Sequence, residues 1–193
     1  VSVAGGTLVL DGCTVDGQAA VGVLVGGARA ALRATGLTVD GAFRYGVAVA
    51  PGARVDLDGG EIRRTSEVGV IGEGAGTKLV LRGVRLRGQE TYGVEVGEGA
   101  SLELDAARVD AARVAALYLS GGRTTVSARA TIFADGRQLG VVVRGGASLR
   151  HRVRDGRERD VGRLRRRRGF DGRLARRRRA HEPRLRLPRR GPR

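Results

Sequence analysis

The chain has 193 residues, 41% of them apolar but only 3% aromatic, with 33 Gly, no Trp and no Met. That is enough apolar material for a sizeable core, which must be built from Val, Leu, Ile and Ala. No stretch reaches the ~18 consecutive apolar residues of a membrane span, and the lone Cys13 excludes a disulfide framework. The formal charge of +16 belongs to one end: residues 1–149 balance to +1, while residues 150–193 hold 20 Arg against five acids, so the body is expected to present no basic face of its own.

Along the body one segment recurs: Gly22-Val23-Leu24-Val25, Gly46-Val47-Ala48-Val49, Gly69-Val70-Ile71, Gly93-Val94-Glu95-Val96, Ala116-Leu117-Tyr118-Leu119 and Gly140-Val141-Val142-Val143. The starts are spaced by 24, 23, 24, 23 and 24 residues. A small-residue turn such as Pro51-Gly52-Ala53 follows each, and then an alternating apolar pair: Leu8/Leu10, Ala30/Leu32, Val55/Leu57, Leu79/Leu81, Leu102/Leu104 and Thr124/Val126. A third apolar column comes about five residues later, at Val15, Leu37, Ile62, Leu86, Val109 and Ile132. Alternation with period two marks strands with one buried face, and the glycines between them mark tight turns. No run keeps apolar residues at helical spacing. Three short strands in every ~24 residues make a solenoid, in which each coil buries its inward side chains against the next. The period excludes a hexapeptide left-handed helix, and the absence of Asn weakens a leucine-rich repeat, which uses Asn or Cys at a fixed position.

The G-V-x-V starts and the three-strand coil, over about residues 1–149, closely resemble the right-handed parallel β-helix proteins of the pectin-lyase-like superfamily. The resemblance implies an all-β fold of about six coils of 23–24 residues. It also implies a place among secreted or cell-envelope proteins, whose best-known members are polysaccharide lyases, hydrolases and epimerases. Those enzymes act on the outer face of the first strand with acids, Arg or Lys, and often Ca²⁺. Because Val1 already fits the repeat, the chain reads as a piece of a longer protein with its N-terminal cap and any leader upstream.

The outward position of G-V-x-V here gives Leu24, Ala48, Ile71, Glu95, Tyr118 and Val142, an apolar stripe with one acid. A stripe of this kind suits an interaction surface for a polysaccharide or another protein better than a catalytic groove. No catalytic constellation emerges, and no resident cofactor is expected. The nearest candidate is Asp58, Arg82 and Asp105, with Ca²⁺ entering only under an enzymatic reading; the two carboxylates stand two coils apart, ~9.6 Å by strand spacing. That column extends to Asp11, Arg33, Asp58, Arg82, Asp105 and Ser127, and a neighbouring one holds Asp16, Asp40, Arg63, Arg87, Asp110 and Asp135. Both mix charge signs, as cross-strand ion pairs that fix register would. Tyr45 and Tyr92 share a column and suit either sugar stacking or the cover of a corner. Gly72-Glu73-Gly74-Ala75-Gly76 has the composition of a phosphate loop, but Lys78-Leu79-Val80-Leu81 continues as strand where such a loop opens a helix, so Gly72 is assigned an inward slot. Cys13 is expected to be a buried filler.

After Leu149 the repeat stops, and residues 150–193 form an Arg-rich tail expected to be disordered alone. Two readings of it stand. As a real element it binds nucleic acid or another polyanion through phosphate contacts. The body's many Arg, single Lys and lack of Asn instead suggest a GC-rich gene, in which a frame error turns Gly and Val codons into runs of Arg. The expected functions are therefore a non-catalytic scaffold or recognition surface, with carbohydrate as the ligand considered; a polysaccharide-active enzyme; and nucleic-acid binding through the tail.

Overall fold

A computed structural model describes residues 1–135 and 137–152 and the backbone of Glu158–Asp160. Among these residues there is no helix, and the strands stack as a parallel β-solenoid with three sheets along its length. Sheet A takes Ser2–Val3, Val21–Val25, Tyr45–Val49, Val68–Glu73, Tyr92–Gly97, Ala115–Leu119 and Leu139–Val143. Sheet B takes Thr7–Asp11, Ala31–Thr35, Arg54–Asp58, Lys78–Arg82, Ser101–Asp105, Thr125–Arg129 and Ser148–Arg152, and sheet C takes Thr14–Asp16, Thr38–Asp40, Glu61–Arg63, Arg85–Arg87, Arg108–Asp110 and Ile132–Ala134. The regular coil thus runs through Arg152, past the boundary expected at residue 149. Glu158–Asp160 then pairs antiparallel with that last strand of sheet B. The other expectations for the tail lie outside the described residues.

Inside the solenoid, sheet B contributes two continuous inward columns, apolar up to a terminal histidine in the second. One is Leu8, Leu32, Val55, Leu79, Leu102, Val126 and Leu149; the other is Leu10, Ala34, Leu57, Leu81, Leu104, Ala128 and His151. The sequence pairing Ala30/Leu32 and Thr124/Val126 is therefore displaced by two residues. The reason is a third inward position, the last residue of the turn before each sheet B strand. Ala30, Ala53, Thr77, Ala100, Thr124 and Ala147 stack there, all buried. The alternation between 24 and 23 residues also arises in this turn: residues 26–30, 73–77 and 120–124 form the longer version, residues 50–53, 97–100 and 144–147 the shorter. Two of the longer turns end in a threonine that closes them. Thr77 Oγ1 donates to the Glu73 carbonyl at 2.8 Å and accepts from Gly52 N–H at 3.1 Å, and Thr124 Oγ1 repeats this with Ser120 and Gly99 at 2.7 and 3.0 Å.

Sheet C corrects the third column. Its inward row is Val15, Val39, Ile62, Leu86, Val109 and Phe133, not Leu37 and Ile132. Leu37 is buried one column over, at the corner, and Ile132 is half exposed. These side chains explain the glycine of G-V-x-V. A Cβ on Gly46 would lie 2.4 Å from Ile62 Cγ2, and one on Gly93 would lie 2.1 Å from Val109 Cγ1, so sheet C fills the space that sheet A leaves open. Gly72 does occupy an inward slot, where a Cβ would come within 2.3 Å of Leu79 Cδ1. Cys13 is a free thiol packed, half-buried, against the core of the first coil.

Side-chain direction follows the pattern in sheet A. Val47 and Val49 belong to the core, whereas Ala48 faces outward between Leu24 and Ile71, where its neighbours leave it 9% exposed. Val47→Asp buries a charge without a partner and is expected to cost several kcal/mol; Ala48→Asp is expected to cost less, because its carboxylate can reach solvent from the outer face. Thermal melting of the two variants checks the assignment, and equal losses would contradict it.

Candidate functional site

The interaction stripe forms one register row on the outer face of sheet A, in which Leu24, Ala48, Ile71, Glu95, Tyr118 and Val142 are successive partners. Its N-terminal half is apolar, with Leu24 40% exposed. Its C-terminal half is a polar aromatic patch. Tyr45 and Tyr92 do share a row, with Val68 between them. Tyr92 stacks on Tyr118, with ring centroids 4.7 Å apart and planes 16° from parallel. Tyr92 therefore meets a neighbour from another row, which its spacing from Tyr45 does not reveal. Tyr45 receives a hydrogen bond on its hydroxyl from Arg44 Nη2 at 2.9 Å, and the Arg44 guanidinium also pairs with Glu67 at 3.0 Å.

Carboxylates set the potential of this patch. Burial against its neighbours raises the Glu95 carboxyl above the usual range, and the nearby charges of Glu73 and Glu67 push it further the same way. Burial also raises the Tyr92 hydroxyl, helped by Glu95. A half-buried carboxyl that holds its proton more readily than usual, beside a stacked tyrosine pair, accepts hydrogen bonds when ionised and can also donate one when protonated.

The column through Asp58, Arg82 and Asp105 has different chemistry. Register places Arg82 directly between the two acids on the outer face of sheet B. The full row is Asp11, Thr35, Asp58, Arg82, Asp105, Arg129 and Arg152, so Arg33 and Ser127 are misplaced in the sequence-derived column. Those two fall in the adjacent outward row, two residues earlier, through the same displacement that affects Ala30/Leu32 and Thr124/Val126. Asp105 is gripped by Arg129 through both oxygens, at 3.1 and 2.5 Å. That hydrogen bonding holds its carboxyl below the usual range, with Arg82 adding attraction from farther away. Cations interleaved with the acids do not fit a Ca²⁺ ligand set. Among the described residues no three His, Cys, Asp or Glu side chains cluster in a way that could hold a metal ion.

Sheet C carries the second charged row, Asp16, Asp40, Arg63, Arg87, Asp110 and Ala134; Asp135 lies one residue beyond it. Asp40 is nearly buried and doubly held, by Arg64 at 2.6 Å on each oxygen and by Arg63 at 2.8 Å. The hydrogen bond from Arg64 is the main reason its carboxyl sits below the usual range. Five arginines, Arg63, Arg64, Arg85, Arg87 and Arg108, gather on this sheet and its following corner. Asp16, Asp40, Glu61 and Asp110 stand on the same face and balance most of their charge.

One further concavity escaped the sequence. A groove of about 480 Å³ runs over the outer face of sheet B, lined by Lys78, Val80, Ser101, Glu103, Thr125, Ser127, Ser148 and Arg150 among others. Its only sequence signal is the run of small hydroxyl residues at outward positions of successive coils.

The chain is thus a parallel β-solenoid whose three outer faces differ in chemistry. Comparison with protein-family models, with curated proteins and with solved structures finds no match. No helix among the described residues is long and apolar enough to cross a membrane.

The shifted carboxyls predict opposite responses to acid. Asp40 and Asp105 have depressed values in the fold, so the stability they contribute is present above the unfolded value near ~3.9 and is lost as pH falls through the folded values. Asp40→Asn is expected to flatten the fall of melting temperature below about pH 4. Glu95 is raised, so the fold gains stability as pH falls through its folded value. Glu95→Gln is expected to raise the melting temperature at pH 7, with the difference vanishing below about pH 4. Melting curves from pH 7 to 2.5 on both variants test the signs.

Proposed function

We propose that this chain is a non-catalytic recognition scaffold of a secreted or cell-envelope protein, which binds carbohydrate on the outer face of sheet A. The observation that carries the reading is the Tyr92–Tyr118 stack beside Glu95, set on a rigid sheet and continued by an apolar row. Tyrosine offers a broad apolar ring for the apolar face of a sugar and a hydroxyl for its polar edge. A carboxyl next to such rings accepts hydrogen bonds from sugar hydroxyls. The parallel sheet keeps these groups on a fixed repeat of ~4.8 Å per coil, so an extended chain lying along the solenoid meets them in register. Kinship with the pectin-lyase-like superfamily is part of this proposal, and the coil pattern is its support.

An enzymatic role finds less support. In the Asp58, Arg82 and Asp105 column, Asp105 is held ionised by Arg129, which does not suit a general acid. Polyanion binding through residues 150–193 rests on composition, and those residues lie largely outside the described structure.

Tyr118→Ala is expected to lower affinity for bound oligosaccharides by about tenfold, the loss of one stacked ring and its polar contact, with little change in melting temperature. Glycan-array binding followed by calorimetry measures this. Pectate and alginate, with and without Ca²⁺, are expected to survive incubation with the protein. Cleavage abolished by Arg82→Ala at unchanged melting temperature would overturn the scaffold reading.

A further inference from the structure

The register that builds the ladder on sheet C also brings its guanidinium groups to the surface. Five of them, Arg63, Arg64, Arg85, Arg87 and Arg108, share this face and its corner with four carboxylates, Asp16, Asp40, Glu61 and Asp110. The two carboxylates nearest the bay lie beneath: Asp40 and Glu61 are 6% and 21% exposed, whereas Arg63, Arg87 and Arg64 are 35%, 51% and 70% exposed. We propose that this face carries an oxoanion site, centred on the bay between Arg63, Arg64 and Arg87, for a sulfate, phosphate or carboxylate group borne on a larger molecule. The site lies on a different face from the tyrosine patch and does not depend on the carbohydrate reading.

Three features carry it. First, there is room. A bay of about 420 Å³ is lined by Arg63, Arg64, Arg87, Gly88 and Ala111. It opens because the residues following Arg64 along this corner are a glycine and an alanine, with no side chain to fill the space. Second, the heads are held in place. Asp40 grips Arg63 and Arg64 from below, and Glu61 meets Arg87 Nε at 2.5 Å and Arg63 Nη1 at 3.4 Å. A guanidinium carries five N–H groups, so these pairs orient the forks and still leave donors for a ligand, the planar recognition at which arginine excels. Arg85 stands next to them on the strand of Arg87, and among the described residues it has no carboxylate in ion-pair reach. Third, the corner bend sets the direction of the key side chain. Arg64 has φ of 55° in a corner where Gly41 and Gly88 have 78° and 70°. Ala111 and Asp135 continue the same bend at 55° and 53°, so it belongs to the stack and not to Arg64 alone. Arginine at that place puts a guanidinium over the bay.

The test uses the full chain, labelled with ¹⁵N, and sodium sulfate titrated against sodium chloride at constant ionic strength. A site-resolved signal is needed because residues 150–193 add 20 Arg. Arginine Nε–H resonances of Arg63, Arg64 and Arg87 are expected to shift and saturate in the millimolar range. Arg87→Gln is expected to weaken binding about tenfold, the loss of one charge-assisted contact. Arg64→Gly is expected to do the same with the amide spectrum of the fold retained, since glycine already occupies the flanking corners. Arg113→Gln, whose partner is Glu90, is expected to change nothing. Phosphate and acetate titrations distinguish a tetrahedral group from a carboxylate, and saturation by either at these residues supports the site. Shifts that stay linear, spread evenly over all arginines, or persist at full affinity in Arg87→Gln and Arg64→Gly would overturn it.

Discussion

Each coil of this molecule hydrogen-bonds to the coils before and after it, so its backbone must repeat theirs. That in-register stacking is the constraint from which the rest follows. It is visible at the corner between sheets B and C, where Gly12, Gly36, Gly59, Gly83, Ala106 and Ala130 all adopt positive φ, from 48° to 66°. Each donates its N–H to a carbonyl of the next coil, as Gly83 does to Asp105 at 2.8 Å and Ala130 to Arg152 at 3.0 Å. Glycine serves this conformation without cost. The two alanines adopt it at a penalty of ~1–2 kcal/mol each, which shows that the stack, rather than local preference, dictates the bend.

The same constraint sorts side chains into rows. Inward rows must interdigitate across a narrow interior, so glycine in sheet A faces Val, Ile or Leu from sheet C. Outward rows bring residues 23 or 24 positions apart to within one strand spacing, where charge decides what they do. Asp40 and Asp105 meet arginines and bind protons less readily; Glu95 meets burial and other carboxylates and binds them more readily. One residue type on one scaffold thus yields a structural anchor or a titratable surface group, according to the row beside it. The near-neutral body conceals a division into an acidic, aromatic face on sheet A and a face of paired arginines and carboxylates on sheet C.

The interior polar groups show how closely the coils fit. Gln89 is fully buried at the corner after sheet C, where its Nε2 donates to the carbonyls of Ile62 and Arg87 at 3.0 Å. Its Oε1 and the hydroxyl oxygen of Thr65 on the preceding coil have no protein partner. Buried unpaired oxygens of this kind are uncommon, and here they stand on adjacent coils in an otherwise apolar wall.

The sequence by itself determined the coil. Its period, the three strands, the inward Val47 and Val49, the slot of Gly72 and the outer stripe from Leu24 to Val142 are all local regularities that the repeat imposes on the chain. It did not determine which residues stand side by side wherever the turn length changes. Ala30, Leu37, Arg33, Ser127, Ile132 and Asp135 each lie within four residues of the one that fills the row, so spacing along the chain could not choose between them. Only stacking, which fixes one partner for every backbone amide, placed Ala34, Val39, Thr35, Arg129, Phe133 and Ala134 in those rows. The charged and aromatic surfaces are likewise tertiary products. The Tyr92–Tyr118 stack joins two rows, and the arginine bay joins a strand to its corner, so neither follows from spacing along the chain.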